Sequence, residues 1–272
     1  MKICVIGLRG IPGIMGGVEA HCEQLFPRLK KLRPAYDISI VGRRPYVTGG
    51  QSDYQGIKVV PLPAMRSKYF EAISNTALGV LYARFVLGAR LLHIHNIGPA
   101  LLGPLARLLG MKLVVTYHSK NFEHAKWNAL ARAMLRLGEW CAVKAAHRVI
   151  VISRSVTEEL RHRYPGSSRK FLFIPNGATE FPSAANDNYA RSLLDHFGLA
   201  TGRYVLAVGR LVREKSFHTL IEAYEAADPD FKLVIVGKAD HEDDYSRGLL
   251  RHGSDKICFT GFQGRGELGV LY

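Results

Sequence analysis

The chain has 272 residues, of which 47% are hydrophobic and 22% charged, so it can bury the core of one large domain or two ordinary ones. Its four cysteines are scattered without paired metal-ligand spacing, which argues against a disulfide framework and favours a reducing cytoplasm. We expect no secretory signal, since Met1 and Lys2 lead directly into the first strand-like segment. The apolar runs are much shorter than the ~20 residues that span a bilayer.

The net charge of +14 is unevenly distributed along the chain. Residues 1–180 contain 26 Lys and Arg against 10 Asp and Glu, whereas residues 181–272 contain 11 against 13. The basic part is either a solvated surface or a region that attracts anionic lipid or a diphosphate ligand. Nucleic acid is disfavoured as a partner, because the chain contains no recognised binding module and no aromatic-basic interleaving.

Short apolar runs alternate with helical patterns along most of the chain. The predicted strands are 2–8, 37–43, 57–63, 91–96, 112–118, 148–153, 170–176, 204–210, 231–237 and 256–262. The main helical patterns cover 17–32, 70–91, 130–146, 155–164 and 218–227. Runs of Val, Ile and Leu with little alternation are typical of parallel strands covered on both faces. The pattern therefore predicts a doubly wound α/β architecture.

The alternation breaks once, after the segment IPNGA at 174–178. Residues 180–203 contain proline, serine, asparagine and one short helical pattern before a new strand begins at Tyr204. We therefore predict a domain at 1–180 and a second at 181–272. The second has about three strands, fewer than the five or six of an average sheet, and is predicted to be incomplete.

The first predicted strand is followed by a loop with five glycines, at positions 7, 10, 13, 16 and 17. Glycine lets the backbone approach a ligand closely, and the helix that follows presents unpaired N–H groups to an anion. The spacing of a dinucleotide fingerprint is absent, which disfavours a nicotinamide cofactor. The loop indicates a ligand site, with a flexible surface loop as the alternative.

His118 ends the predicted strand in VVTYH, at the edge where open α/β sheets bind ligands. It is followed closely by four more ionisable residues, Lys120, Glu123, His124 and Lys126. A buried structural histidine is the alternative interpretation of His118. No metal site is predicted here, because the spacing lacks a metal-ligand pattern. His93 and His95 alternate on one strand and fit a packed or a functional role equally well.

Arg210 and Lys215, with Arg213 between them, lie where a predicted parallel strand ends and a helix begins. Arginine offers planar donors and lysine a point charge, so this turn suits a diphosphate. We predict that the glycine loop and this turn face each other across a cleft. Fixed cations beside a departing diphosphate would lower the barrier to transfer.

At these residues the sequence resembles the retaining, nucleotide-sugar-dependent glycosyltransferases of family 4, which have the GT-B fold of two Rossmann-like domains. The resemblance extends over most of the chain and is carried by GGVE, VTYH, VISRS, IPNGA, VGRLVREKSFHTLIEAY, LVIVG and FTGF. The G-R-L-x-x-E-K run is the most specific of these. The start of the chain and HAKWN are similar to the bacterial rhamnosyltransferase-like branch, which builds cell-surface polysaccharide.

The resemblance implies a role for each matching residue. Arg210 and Lys215, beside Gly209, would hold the diphosphate of a nucleotide-sugar donor. Gly16 and Gly17 would approach the donor from the first domain, and His118 would contact the transferred sugar. The implied reaction retains the anomeric configuration and needs no metal or other cofactor. The implied acceptor is a glycan or a lipid-linked molecule bound by the first domain, which we expect at the cytoplasmic membrane face because of its charge.

Family members continue beyond the equivalent of Tyr272 with a segment that carries two donor-binding glutamates. We therefore expect a truncated second domain, from either a fragment or a shortened gene product, with weak binding and low turnover. Two alternatives remain open at this point. One is a non-catalytic adaptor that keeps the acceptor domain, and the other is a sugar-nucleotide epimerase with the same fold.

Overall fold

The computed structural model describes residues 1–47, 50–65, 70–123, 128–178, 187–239 and 242–272. These residues form eleven strands: β1 (Lys2–Ile6), β2 (Asp37–Arg43), β3 (Ser52–Tyr54), β4 (Ile57–Leu62), β5 (Leu91–His95), β6 (Lys112–Tyr117), β7 (Arg148–Val151), β8 (Phe171–Phe173), β9 (Tyr204–Val208), β10 (Lys232–Val236) and β11 (Ile257–Gly261). They also form ten helices: α1 (Gly17–Leu32), α2 (Glu71–Phe85), α3 (Ile97–Ala100), α4 (Gly103–Leu108), α5 (Ala129–Ala145), α6 (Arg154–Arg163), α7 (Asp187–His196), α8 (Phe217–Ala227), α9 (Asp244–Leu250) and α10 (Arg265–Leu271).

The chain divides into two compact units, Met1–Ala178 and Thr179–Tyr272. The first unit contains one eight-stranded sheet in the order β3-β4-β2-β1-β5-β6-β7-β8. Every pair of neighbours in this sheet is parallel except β3 and β4, which are antiparallel. The strand order reverses between β1 and β5, because β2 pairs with one edge of β1 and β5 with the other. Open α/β sheets bind ligands at such a switch point.

Both faces of the first sheet are covered, as the continuous apolar runs predicted. Cys4 and Ile6 of β1 join one buried cluster, while Ile3 and Val5 join another. Successive side chains of a strand point to opposite faces, so the two clusters lie on opposite sides of the sheet. Helix α1 contributes Phe26 to the second cluster, where it is 1% exposed.

The second unit repeats this plan with a three-stranded parallel sheet in the order β11-β10-β9. The side chains of the central strand β10 again alternate between two clusters. Leu233 and Ile235 pack with α8, whereas Val234 and Val236 pack with residues of α7 and α10. The predicted α/β fold class is therefore confirmed in both units.

The structure differs from the sequence prediction in several short elements. Strand β8 ends at Phe173 rather than at residue 176, and it is the edge strand of the sheet. Helix α2 ends at Phe85 rather than extending to 91, and Gly88 follows in a left-handed conformation with φ 62°. Strand β3 and the short helices α3, α4 and α9 were missed. Helices α3 and α4 consist of the segments IGPA and GPLARL. Glycine and proline in a sequence usually indicate a break, although proline fits a first helical turn.

None of the helices in the described ranges combines the length and the apolar character that crossing a bilayer requires.

Candidate functional site

Three segments of the first unit meet at the switch point of its sheet. The glycine loop follows β1, His95 is the last residue of β5, and His118 follows directly after β6. Adjacent parallel strands end at the same edge, so the order β1-β5-β6 brings these segments together. The predicted position of His118 at a strand end is therefore correct.

The glycine loop requires glycine at two positions for different reasons. Gly7 has φ 97°, and a Cβ atom there would lie 2.3 Å from the carbonyl oxygen of His95. Gly16 has φ 153° and caps α1, and a Cβ atom there would lie 2.0 Å from Oε2 of Glu19. The loop can therefore follow this path only because these two residues lack side chains.

The backbone amides of the loop are partly used by α1 itself. The amide of Arg9 donates to Oε1 of Glu19 at 3.0 Å, and that of Gly13 donates to Oε2 of Glu23 at 2.9 Å. The amides of Arg9 and Gly13 are therefore not available to an anion. No acceptor in the described part of the chain receives a hydrogen bond from the amide of Gly16 or Gly17. A Cβ atom on Gly17 would meet open space, so the beginning of α1 is the accessible part.

His21, His95 and His118 form what we call the histidine cluster. One ligand-capable atom from each ring lies within 4.8 Å of the others. Nδ1 of His95 and Nε2 of His118 share a hydrogen bond of 2.9 Å, and the two rings stack at 5.2 Å between centroids. The ring of His21 lies edge-on to that of His118 at 5.3 Å. His95 is fully buried, while His21 and His118 are partly exposed.

Burial keeps the rings of this region neutral at physiological pH. Desolvation, with the nearby His21, lowers the pKa of His118 to about 4. Desolvation also lowers the pKa of His21, and together with the three neighbouring histidines it holds the pKa of His95 well below its usual value. His93, which bonds Oγ1 of Thr116 at 2.7 Å, has its pKa lowered to about 3. Neutral imidazoles can accept a proton or bind a metal, so the cluster is chemically versatile.

The charges near His118 in the sequence pair with one another in the structure. Lys120 contacts Oε1 of Glu123 at 3.5 Å and also pairs with Glu159 of α6. The predicted ionisable cluster around His118 is therefore partly a set of surface ion pairs. His124 and Lys126, which the same prediction included, lie outside the described residues.

A buried network fixes the end of β6 next to His118. The hydroxyl of Tyr117 donates to Oε2 of Glu139 at 2.6 Å, and both residues are almost fully buried. Oε1 of Glu139 accepts from Arg163 and from the hydroxyl of Tyr164, each at 3.0 Å. The carboxylate therefore holds β6, α5 and α6 together behind the histidine cluster.

The second unit places Arg210 and Lys215 in the connection between β9 and α8. The chain forms a 3₁₀ turn over Arg213–Lys215 and enters α8 through Ser216, which has φ 53°. The guanidinium of Arg213 packs over the ring of Tyr245 at 5.3 Å. Lys215 is exposed, and no described carboxylate forms an ion pair with it.

Glycines also shape the floor of this turn. Gly237, at the end of β10, has φ 137°, and a Cβ atom there would lie 1.9 Å from the carbonyl oxygen of Gly209. A Cβ atom on Gly209 would lie 3.3 Å from the ring of Phe217 and 3.7 Å from Cδ of Lys215. Gly209 therefore leaves room beneath the lysine stem, and the turn lies at the carboxyl edge of its sheet, where ligands are expected.

Sequence reasoning missed His21 and left His95 undecided. His21 lies one position before Cys22, which is buried on the inner face of α1, so only the three-dimensional structure shows that its ring reaches His118. The pairing of β5 with β6 sets His95 opposite Thr116, two residues before His118. A pattern of strand-end histidines on neighbouring strands is the signal that could have found the pair.

The fold of the chain is that of the GT-B glycosyltransferases. Sucrose-phosphate synthase of Thermosynechococcus elongatus has a TM-score of 0.77 at 21% identity, over 99% of this chain and 72% of that chain. HepE of Anabaena in complex with UDP-glucose has a TM-score of 0.69 at 19% identity, over 98% of this chain and 71% of that chain. At these identities the likeness establishes the fold class alone.

The family model for Glycosyltransferase Family 4 matches residues 15–179. The model for Glycosyl transferases group 1 matches residues 196–272. The chain belongs to Glycosyltransferase Family 4, as the sequence resemblance indicated.

Two curated relatives are similar along most of the chain. The alpha-D-kanosaminyltransferase of Streptomyces kanamyceticus is 27% identical over 246 residues, which cover 79% of this chain and 63% of the relative. The alpha-maltose-1-phosphate synthase of Mycolicibacterium smegmatis is 27% identical over 253 residues, which cover 88% of this chain and 61% of the relative. The chain thus spans a little over three fifths of the length of these relatives.

Proposed function

We propose that this protein transfers a sugar from a nucleoside diphosphate sugar to a hydroxyl acceptor, with retention and without a metal requirement. The families that match both units support transfer as the reaction type. HepE, a structural neighbour, binds UDP-glucose, which supports a nucleotide sugar as the donor class. Synthesis of a cell-surface polysaccharide is the setting that the rhamnosyltransferase-like start of the chain favours.

The turn after β9 is the observation that carries this proposal. Arg210 and Lys215 bring two permanent cations to the carboxyl edge of a parallel sheet, and Lys215 has no ion-pair partner among the described carboxylates. An exposed lysine and a planar guanidinium are suitable donors for a diphosphate. They also balance the negative charge that grows on a leaving diphosphate, a task that a divalent metal performs in other enzymes.

In this proposal His118 contacts the transferred sugar. Its low pKa leaves the ring uncharged at pH 7, so it would accept a hydrogen bond from a sugar hydroxyl or donate one from a neutral ring. Gly16 and Gly17 would approach the donor in this proposal, and open space beside Gly17 leaves the backbone at the start of α1 accessible.

Calorimetric titration of the chain with UDP, ADP and GDP, and with UDP-glucose, tests the donor site directly. We expect the double substitution Arg210→Ala and Lys215→Ala to weaken binding by about 100-fold, because two charge-assisted contacts are lost. Arg213→Ala is the matched control, since Arg213 lies between them but packs on Tyr245. It should change the affinity less than about threefold.

Equal losses in the control and the double variant would count against a diphosphate site. An absence of binding by any nucleotide would favour the adaptor alternative. The formation of a free sugar-nucleotide isomer without acceptor, measured by product analysis, would favour epimerisation over transfer.

The second part of this proposal concerns the first unit, which would bind the acceptor. We propose that its helix α5 contacts an anionic membrane surface. Leu130, Leu137 and Trp140 are 70%, 50% and 48% exposed. With Ala133 and Lys144 they follow the spacing of one helical face, and the exposed Arg136, one turn from Ala133 and from Trp140, lies beside that stripe. An apolar stripe bordered by cations is the pattern by which helices lie in a lipid interface.

Sedimentation with vesicles tests this surface. We expect the chain to bind phosphatidylglycerol-containing vesicles and the double variant Leu137→Glu and Trp140→Glu to lose most of that binding. Leu32→Glu is the control, because Leu32 is 73% exposed but is the last residue of α1 and does not belong to the apolar stripe of α5. Equal binding by the two variants would refute the membrane contact and leave the donor site untouched.

A further inference from the structure

The histidine cluster has a composition that neither the family match nor the proposed reaction requires. Its rings come from the second turn of α1, the last position of β5 and the residue after β6. Within the described residues, no carboxylate accepts a hydrogen bond from any of the three rings. Buried imidazoles usually find a fixed acceptor on the protein, whereas His95 and His118 bond to each other. The ring of His95 makes its only other polar contact among the described residues with the thiol of Cys22, at 3.6 Å from its Nε2.

We infer that His21, His95 and His118 form a binding site for a divalent transition metal ion of the zinc type. One nitrogen from each ring lies within 4.8 Å of the other two, and Nδ1 of His95 and Nε2 of His118 are separated by 2.9 Å. Tetrahedral zinc with Zn–N bonds of about 2.0–2.1 Å needs ligand nitrogens about 3.4 Å apart. Small side-chain rotations therefore convert the existing arrangement into a three-histidine coordination set, in which the metal replaces the shared proton.

The chemistry of the ligands selects the class of metal. Three neutral imidazoles without a carboxylate suit Zn²⁺, Co²⁺, Ni²⁺ or Cu²⁺, whereas Mg²⁺ and Ca²⁺ prefer oxygen ligands.

The surroundings preorganise the site and leave it accessible. His95 is held by the strand pairing of β5 with β6, by the tilted ring of His93 at 4.4 Å between centroids and by the edge-on ring of Phe26 at 5.9 Å. Gly7 lets the glycine loop pass against the backbone of His95. His21 and His118 are partly exposed, so an ion can enter and a fourth position remains for water.

Such an ion would act against transfer rather than for it. A metal-bound His118 could no longer contact a sugar, so metal and donor sugar would compete for one ring. This consequence depends on the proposed function, whereas metal binding itself does not.

Titration of the tag-free, EDTA-treated chain with ZnCl₂ in a calorimeter tests the inference without any nucleotide. We expect about one Zn²⁺ per chain, no heat from MgCl₂, and a loss of affinity of about tenfold or more in His21→Gln and in His118→Gln. His162→Gln is the control, because His162 is an exposed histidine on α6 of the same unit. The visible absorption of bound Co²⁺ should be that of a tetrahedral site and should disappear in His21→Gln.

Three results would overturn the inference: no saturable Zn²⁺ binding, equal affinity in His21→Gln and His162→Gln, or an octahedral Co²⁺ spectrum. Far-ultraviolet circular dichroism and the unfolding midpoint of each variant show whether it remains folded. His21→Gln is the more secure variant, because its side chain is at the surface end of the cluster.

Discussion

The histidine cluster of the first unit and the cationic turn of the second lie at equivalent edges of their sheets but hold opposite kinds of polar group. The cluster buries neutral rings that bond to each other. The turn presents Lys215 in the open and packs Arg213 on an aromatic ring. A group that is buried must be neutral or paired, whereas a permanent charge must remain near water. The stability of the first unit therefore depends on the histidine cluster, whereas the stability of the second unit depends little on the cationic turn.

The largest expected effect comes from the glycines on which the two sites depend. Gly7→Ala and Gly237→Ala each place a Cβ atom within 2.3 Å of a backbone oxygen at a positive φ. We expect each to lower the free energy of unfolding by about 3 kcal/mol or more, measured by urea denaturation.

Gly13→Ala is the control for conformational strain alone. Gly13 has φ 70°, but a Cβ atom there would meet no atom within 4 Å. Gly13→Ala should lower the free energy of unfolding by about 1–2 kcal/mol. If Gly7→Ala cost no more than Gly13→Ala, the close contact between the loop and His95 would not be a determinant of the first site.

The next effect concerns Glu139, which supports the strand end that carries His118. Glu139→Ala would leave the buried hydroxyl of Tyr117 without its acceptor and Arg163 without one partner. We expect a loss of about 2–3 kcal/mol in the free energy of unfolding.

Glu159→Ala is the matched surface control for that change. Its carboxylate pairs with Arg163 and Lys120 where solvent screens the charges, so its removal should cost less than about 1 kcal/mol. Similar losses in both variants would contradict the contrast between buried and exposed charge on which the comparison of the two sites is based.

Acid should destabilise the first unit selectively. The folded-state pKa of His93 is about 3 and that of His118 about 4, below the unfolded value of about 6.5. The folded state therefore binds fewer protons, so its stability is full above about pH 6.5 and declines as the pH falls towards these lower values. Each such histidine contributes a slope of about 1.4 kcal/mol per pH unit within that window.

The measurement is the urea midpoint between pH 7.5 and pH 5, in EDTA to exclude metal. His118→Gln should reduce the slope of the unfolding free energy against pH by up to about 1.4 kcal/mol per pH unit, the contribution of one proton. His162→Gln should leave this slope unchanged. An unchanged midpoint across this range would show that the rings are protonated in the folded state, contrary to the burial that we describe.

The sequence predicted the two sites to different extents, for reasons that lie in the chain itself. Arg210 and Lys215 are close in sequence, and one strand and one turn determine where they lie, so a local pattern was sufficient to locate them. The histidine cluster joins residues separated by 74 and 23 positions along the chain, from His21 to His95 and from His95 to His118. Only the strand order β1-β5-β6 brings them together, and that order is a property of the whole sheet.

The regular elements were predictable wherever the apolar pattern was long. Helix α1 has the predicted bounds, because its apolar positions face one side and Gly16 stops it at the N-terminus. Strand β3 and helix α3, with three and four residues, are too short to show a period. The engagement of the glycine-loop amides by Glu19 and Glu23 was also hidden, since it depends on side-chain direction rather than on spacing.

Lys215→Ala has the smallest expected effect on stability, and it distinguishes the two sites most clearly. Lys215 is exposed, its ammonium has no described ion-pair partner, and its stem passes 3.7 Å from the position of a Cβ atom on Gly209. Lys215→Ala should therefore change the free energy of unfolding by less than about 0.5 kcal/mol. The same substitution should weaken nucleoside diphosphate binding by about tenfold, and the loss should be smaller at high salt, where screening already weakens the contact.

His118→Gln should show the reverse balance, with a larger loss of stability and little loss of nucleotide affinity. Urea denaturation and calorimetry on both variants at two salt concentrations measure all four quantities. If Lys215→Ala lost as much stability as His118→Gln, the lysine would be part of the fold, and its exposure at the strand edge would have no need of a ligand to explain it.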